Sequence, residues 1–169
     1  FDNGGRKNPK APLGSAESYP YLPPEWACAG NTPWKYYKQY GYSGGARTPL
    51  IAYWPGVIEP GITNQAGNVV DIMPTLLDAA NVDYPETARG KATPTLDGKS
   101  LMPVLKGGER EQPKLIVSGY KELNRMVQIG NWKIVRVKNS PWRLYNMVED
   151  PSETNDLAHE YPERVNEIE

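Results

Sequence analysis

The chain has 169 residues, with 19 Lys and Arg against 20 Asp and Glu, one His, one Cys, 16 Gly and 17 Pro. A pI near 6.0 argues against an electrostatic nucleic-acid binder, and a mean hydropathy of −0.65 with no long apolar run excludes a membrane span. Cys28 is alone, so no disulfide framework can form within the chain. Leu, Ile, Val and Phe together number only 32, a fraction compatible with disorder if the net charge were large. It is −1, and five Trp with 11 Tyr supply apolar bulk for a core.

The first 48 residues hold almost no periodic apolar pattern. Pro9, Pro12, Pro20, Pro23, Pro24 and Pro33 alternate with glycines and block both helix propagation and ladder pairing. Such a stretch is a long functional loop or a disordered leader, and its many aromatic residues favour the ordered alternative. A short helical turn is expected from Trp34 to Tyr40, stopped by Gly41, Gly44 and Gly45. Leu50–Trp54 is apolar on both faces and closed by Pro55-Gly56, the pattern of a buried parallel-sheet strand. Val69, Val70, Ile72, Met73, Leu76, Leu77 and Ala80 recur at helical spacing, with Asp71 and Pro74 in the first turn and Asn81 at the exit. Leu96–Ser100 forms a turn with Ser100 as N-cap of a brief helix Leu101–Leu105, ended by Gly107-Gly108.

Beyond Pro113 the period changes to two. Leu115–Ser118, Met126–Ile129, Trp132–Val137 and Trp142–Tyr145 are expected strands, with Gly130-Asn131 as a hairpin loop between two of them. They imply a small antiparallel sheet distinct from the parallel core, followed by a terminal helix opened by Pro162 with Val165 and Ile168 on one face. Two parts are therefore expected, 1–112 with an active-site loop at 1–48, and 113–169.

Candidate chemistry is sparse. Asp2 and Asn3 offer two hard oxygen ligands suited to Ca²⁺ or Mg²⁺, yet Asp2-Asn3-Gly4-Gly5 is also an ordinary turn sequence. Lys38, among Tyr36, Tyr37, Tyr40 and Tyr42 and six residues before Gly44-Gly45, could hold a divalent oxyanion, with the glycines allowing close backbone approach; the alternative is a solvated lysine. Arg47 is similarly ambiguous. Cys28 is expected as a small buried packing residue, His159 as a surface residue, and Trp54, Trp132 and Trp142 as core. A single His permits no Ser-His-Asp set.

In order along the chain stand D-N-G-G at 2–5, W-A-C-A-G-N-T-P at 26–33, Y-K-Q at 37–39 and G-G-A-R-T-P-L-I-A-Y-W-P at 44–55. V-D-I-M-P-T-L-L-D at 70–78, L-D-G-K-S-L at 96–101, G-N-W-K-I-V at 130–135 and L-Y-N-M-V-E-D-P-S-E-T-N-D-L-A at 144–158 follow. This series resembles the C-terminal portion of the type I, calcium-dependent sulfatases of the alkaline-phosphatase superfamily. The resemblance implies an α/β core segment of alkaline-phosphatase-like fold plus a small antiparallel subdomain with a terminal helix. It implies hydrolysis of sulfate esters to an alcohol or phenol and sulfate, with a sulfated small molecule or glycan as substrate and a periplasmic or secreted home. Asp2 and Asn3 look like the family's Ca²⁺ ligands, and Lys38 like the lysine that contacts the substrate sulfate. Ser43 departs from the pattern, since many relatives carry Glu before the two glycines.

The family's nucleophile is a formylglycine made in a C-x-P-S-R type motif, which Cys28 in C-A-G-N-T does not match. The nucleophile, the catalytic histidines and the other metal carboxylates are thus expected in a missing N-terminal part of the same protein, which leaves the isolated chain inactive. Phe1 would then mark a cut just before the metal ligands. Two other readings remain, a phosphate or phosphonate ester hydrolase of the same superfamily and a non-catalytic glycan-binding module.

Overall fold

Alternation of apolar residues after Pro113 produces a four-stranded antiparallel sheet in sequential order, β3 (Leu115–Ser118), β4 (Asn124–Ile129), β5 (Trp132–Val137) and β6 (Arg143–Asn146). The register pairs Met126 with Val135, Val127 with Ile134 and Ile134 with Leu144. Gly130 turns β4 into β5 with φ 55°, a left-handed conformation open to glycine at no steric cost. The computed structural model describes residues 10–12, 15, 17, 24–118 and 124–169.

Both faces of this sheet are covered. Met126, Val135 and Tyr145 face Tyr42, with Tyr36 and Tyr40 packed alongside. Ile134 and Leu144 face Ile168 of the terminal helix α5 (Pro162–Ile168), joined by Trp132, Trp142, Leu157 and Val165. The residues up to Pro49 that are described therefore group by contact with Lys114–Glu169, while Leu50–Pro113 forms a second unit.

Within the first unit two short helices precede the sheet, α1 (Pro24–Gly30) and α2 (Ser43–Ala46). Pro24 at the first position of α1 sits where a missing N–H is tolerated. The helical turn expected over Trp34–Tyr40 does not form. Tyr36 and Gln39 adopt φ 61° and 84°, so the segment is a chain of turns and the helix comes later, over the glycines expected to stop it. Cys28 is exposed rather than buried; Ala27 is the buried residue of α1.

The second unit is built on α3 (Ile72–Ala80), entered through a single 3₁₀ turn at Val69–Asp71 and left through Asn81 at φ 53°. A two-residue hairpin, β1 (Thr87–Ala88) with β2 (Lys91–Ala92), and α4 (Met102–Leu105) complete it. α4 starts one residue later than expected, so its N-cap is Leu101 rather than Ser100, whose hydroxyl still accepts the Met102 N–H at 3.1 Å. Leu50–Trp54 takes no strand conformation, because no described segment offers it a ladder partner. Ile51 is 90 % exposed and Trp54, expected in the core, 39 %.

What holds this unit together is polar. Asp71 is buried and accepts the Asn68 N–H at 2.8 Å, the Lys99 N–H at 2.9 Å and Arg110 Nη2 at 2.7 Å. Burial alone would raise its pKa, but Arg110 and these backbone donors outweigh burial and hold the carboxyl below its usual value. Gly98 lies against the Val70 carbonyl so closely that a Cβ would stand 2.2 Å from its oxygen. The two motifs V-D-I-M-P-T and L-D-G-K-S-L are thereby locked to each other.

Candidate functional site

Lys38 occupies a tight turn. The Tyr40 N–H donates to the Tyr37 carbonyl at 3.2 Å, and Gln39 at φ 84° fills the position that a type II turn usually gives to Gly or Asn. A left-handed non-glycine residue costs roughly 1–2 kcal/mol, so neighbouring contacts must hold the turn. Asn124 at the start of β4 donates its side-chain N–H to the Gln39 carbonyl at 2.8 Å. Tyr36 stacks on Tyr40 at 4.5 Å between centroids, and Tyr37 meets Tyr40 edge-on at 5.2 Å. The Lys38 side chain itself is exposed.

The double glycine is used against the protein's own backbone. A Cβ on Gly44 would lie 2.1 Å from the Tyr36 carbonyl oxygen, and one on Gly45 2.4 Å from that of Tyr37 and 2.3 Å from that of Tyr40. The close approach expected there for an oxyanion is occupied by loop carbonyls. The buried Asn31 amide ties the same two strands of chain, donating to the Tyr36 carbonyl at 2.9 Å and the Gly44 carbonyl at 3.0 Å. Arg47 sits over Trp34, its Cζ 4.3 Å from the ring centroid.

Beneath the glycines lies an ion pair that sequence reasoning missed. Lys133 on β5 and Glu153 are 2 % and 0 % exposed, with Nζ 2.6 Å from Oε1. Glu153 Oε2 accepts the Ser43 N–H at 2.7 Å, and the Ser43 hydroxyl lies 3.5 Å from the Lys133 ammonium. Lys35 donates to the Glu153 carbonyl at 3.1 Å and sits over the Tyr42 and Tyr145 rings. Burial pushes the Lys133 pKa down, opposed by Glu153. A signal was available: Lys133 falls on the same face of β5 as Val135 and Val137, the face packed against Tyr42.

Asp2 and Asn3, the other expected site residues, lie outside the described residues. Among the described residues no three His, Cys, Asp or Glu converge to hold a metal. No described helix is long and apolar enough to cross a membrane.

Residues 30–168 match a family model described as N-sulphoglucosamine sulphohydrolase, C-terminal. The chain belongs to the sulfatase family. It is 29 % identical over 163 residues to an uncharacterized sulfatase of Schizosaccharomyces pombe, covering 92 % of this chain and 29 % of that protein. It is 33 % identical over 127 residues to the choline-sulfatase of Rhizobium meliloti, covering 73 % and 23 %. The crystal structure of Ps i-CgsB in complex with k-i-k-neocarrahexaose superposes with a TM-score of 0.65 at 23 % identity, over 82 % of this chain and 30 % of that one. The fold is that of a sulfatase C-terminal portion, and the chain spans less than a third of the length of each of these proteins.

Proposed function

We propose that this sulfatase segment serves a protein that hydrolyses sulfate esters to an alcohol or phenol and sulfate, and that Lys38 contacts the sulfate of the substrate. The observation that carries the proposal is the turn at Lys38: an exposed ammonium on a backbone pinned by Asn124, Asn31 and the Gly44-Gly45 contacts. An ammonium carried on a pinned backbone can neutralise charge on the sulfuryl oxygens as the ester oxygen departs. The substrate class is a sulfated small molecule or glycan.

Asp2 and Asn3 are proposed as ligands of Ca²⁺, which when bound would supply further positive charge to the same oxyanion. Use of a metal and of a formylglycine nucleophile goes with membership of the family; the nucleophile and the remaining ligands are proposed in a preceding part of the same protein. In that arrangement 1–112 belongs to the catalytic core and 113–169 is the C-terminal subdomain. The exposed apolar side chains of Leu50, Ile51, Tyr53, Met73 and Leu76 support a further layer of core over Leu50–Pro113.

The test is Lys38→Ala in the intact sulfatase. Removing one preorganised donor from an oxyanion lowers turnover by roughly 100-fold or more, so kcat/KM for 4-nitrophenyl sulfate should fall by about that factor. An unchanged kcat/KM would remove Lys38 from the site.

A further inference from the structure

Lys133 and Glu153 bury two opposite charges, 2 % and 0 % exposed, and the Glu153 carboxylate also satisfies the buried Ser43 N–H. Replacement of such pairs by apolar side chains is often neutral or stabilising, because taking both charges out of water costs about what their attraction returns. Glu153 moreover has φ 61°, a left-handed conformation that disfavours every residue but glycine and, to a lesser degree, Asn and Asp. Both facts leave room for a role beyond stability.

The contacts name one. Glu153 grips the base of the Lys38 loop twice, by its carboxylate on the Ser43 N–H and by its carbonyl on the Lys35 ammonium. Next to these two residues, the Gly44 N–H donates to the Lys35 carbonyl at 3.0 Å and closes the loop on itself. Lys133 anchors the carboxylate from the central strand of the sheet. Glu153 is itself fixed by a self-contained turn: its N–H donates to the Asp150 carbonyl at 3.1 Å, and the Asp150 carboxylate accepts Thr154 Oγ1 at 3.0 Å and the Asn155 N–H at 2.8 Å.

We infer that Lys133 and Glu153 are positioning residues for the proposed sulfate-contacting lysine, coupling the C-terminal sheet to the active-site loop. The inference rests on the reading of Lys38 given above. Neither residue touches the substrate; both act through the course of the 35–45 backbone. A misplacement of this kind costs on the order of tenfold to 100-fold in rate.

The experiment is a double-mutant cycle in the intact sulfatase, with 4-nitrophenyl sulfate as substrate and inorganic sulfate as competitive inhibitor. Glu153→Gln and the apolar pair Lys133→Met with Glu153→Leu are each made in the native and in the Lys38→Ala background, and thermal midpoints are recorded alongside. The expected result is a roughly tenfold loss in kcat/KM and in sulfate inhibition in the native background, and a change within about twofold once Lys38 is gone. The apolar pair, which also leaves the buried Ser43 N–H unpaired, should show a lowered thermal midpoint yet keep this loss of kcat/KM when assayed well below it, whereas a purely structural role would leave the folded enzyme's kcat/KM unchanged. Full activity of the folded apolar pair, an equal loss in the Lys38→Ala background, or failure to obtain either variant folded would each overturn the inference. A Lys38→Ala protein with native activity removes the premise and overturns it as well; that outcome reports on the lysine and is seen before either pair variant is made.

Discussion

Ile134 and Val135, neighbours on β5, are completely buried on opposite faces of the sheet, whereas Ile51 and Ile62 of the other unit are 90 % and 99 % exposed. The sheet-bearing unit draws its cover from residues far away in sequence, the tyrosine loop on one side and α5 on the other. Leu50–Pro113 buries only Leu101, Met102 and Val104 among its large apolar residues and relies on the Asp71–Arg110 node. The contrast separates two ways of fixing a chain. Apolar burial fixes the sheet, while directional hydrogen bonds to one carboxylate fix the entry to α3, whose apolar face stays open.

Four predictions test this contrast. The largest effect is expected from Asp71→Ala, which strands the Arg110 guanidinium in a buried setting; breaking a buried pair in this way costs about 3–5 kcal/mol, read as loss of the second unit in denaturant titration. Ile134→Ala should cost the first unit about 2–5 kcal/mol, while Leu76→Ala, 60 % exposed, should stay within about 0.5 kcal/mol in this chain. Equal penalties for the two would erase the contrast. Gly44→Ala forces a methyl onto the Tyr36 carbonyl and should destabilise by about 1–3 kcal/mol, with a lower thermal midpoint for the first unit.

The mildest effects are on pH dependence. The folded pKa of Asp71 lies below its unfolded value, so its contribution is full above about pH 4 and is lost as the pH falls further. Asp150 adds an acid limb to the first unit, where burial would raise its pKa but the Asn155 and Thr154 N–H groups lower it. Burial chiefly raises the pKa of Tyr42 and of Tyr145, so their contribution is full below about pH 10 and falls as the pH climbs beyond it. Near-ultraviolet circular dichroism against pH should show this alkaline limb for the first unit, and Tyr145→Phe should flatten it.

The sheet was legible because its pairings are local: period-two alternation and Gly130 suffice to place β4 against β5. The helix Ile72–Ala80 was legible from its spacing and from Asn81. Leu50–Trp54 misled because an apolar run specifies burial without specifying a partner, and none lies among the described residues. Trp34–Tyr40 misled because its course is set by contacts with Gly44, Gly45 and Asn124, which helical propensity does not register. The role proposed for Lys38 was suggested by its tyrosine-rich setting before the double glycine and by a family pattern. The pair beneath it stayed hidden because Lys133 and Glu153 lie on different segments, and a charged residue in a strand is ordinarily assigned to the solvent face.

Gly41 adds a final consequence. A Cβ there would meet that of Met126 at 2.6 Å, so with Gly44 and Gly45 the loop is moulded at three points by the absence of side chains. Its track is set by these close backbone approaches together with the tyrosines packed against the sheet. Position 38, exposed on that path, can therefore exchange one side chain for another while the path between the glycines persists, and the turn works as a fixed socket for its head.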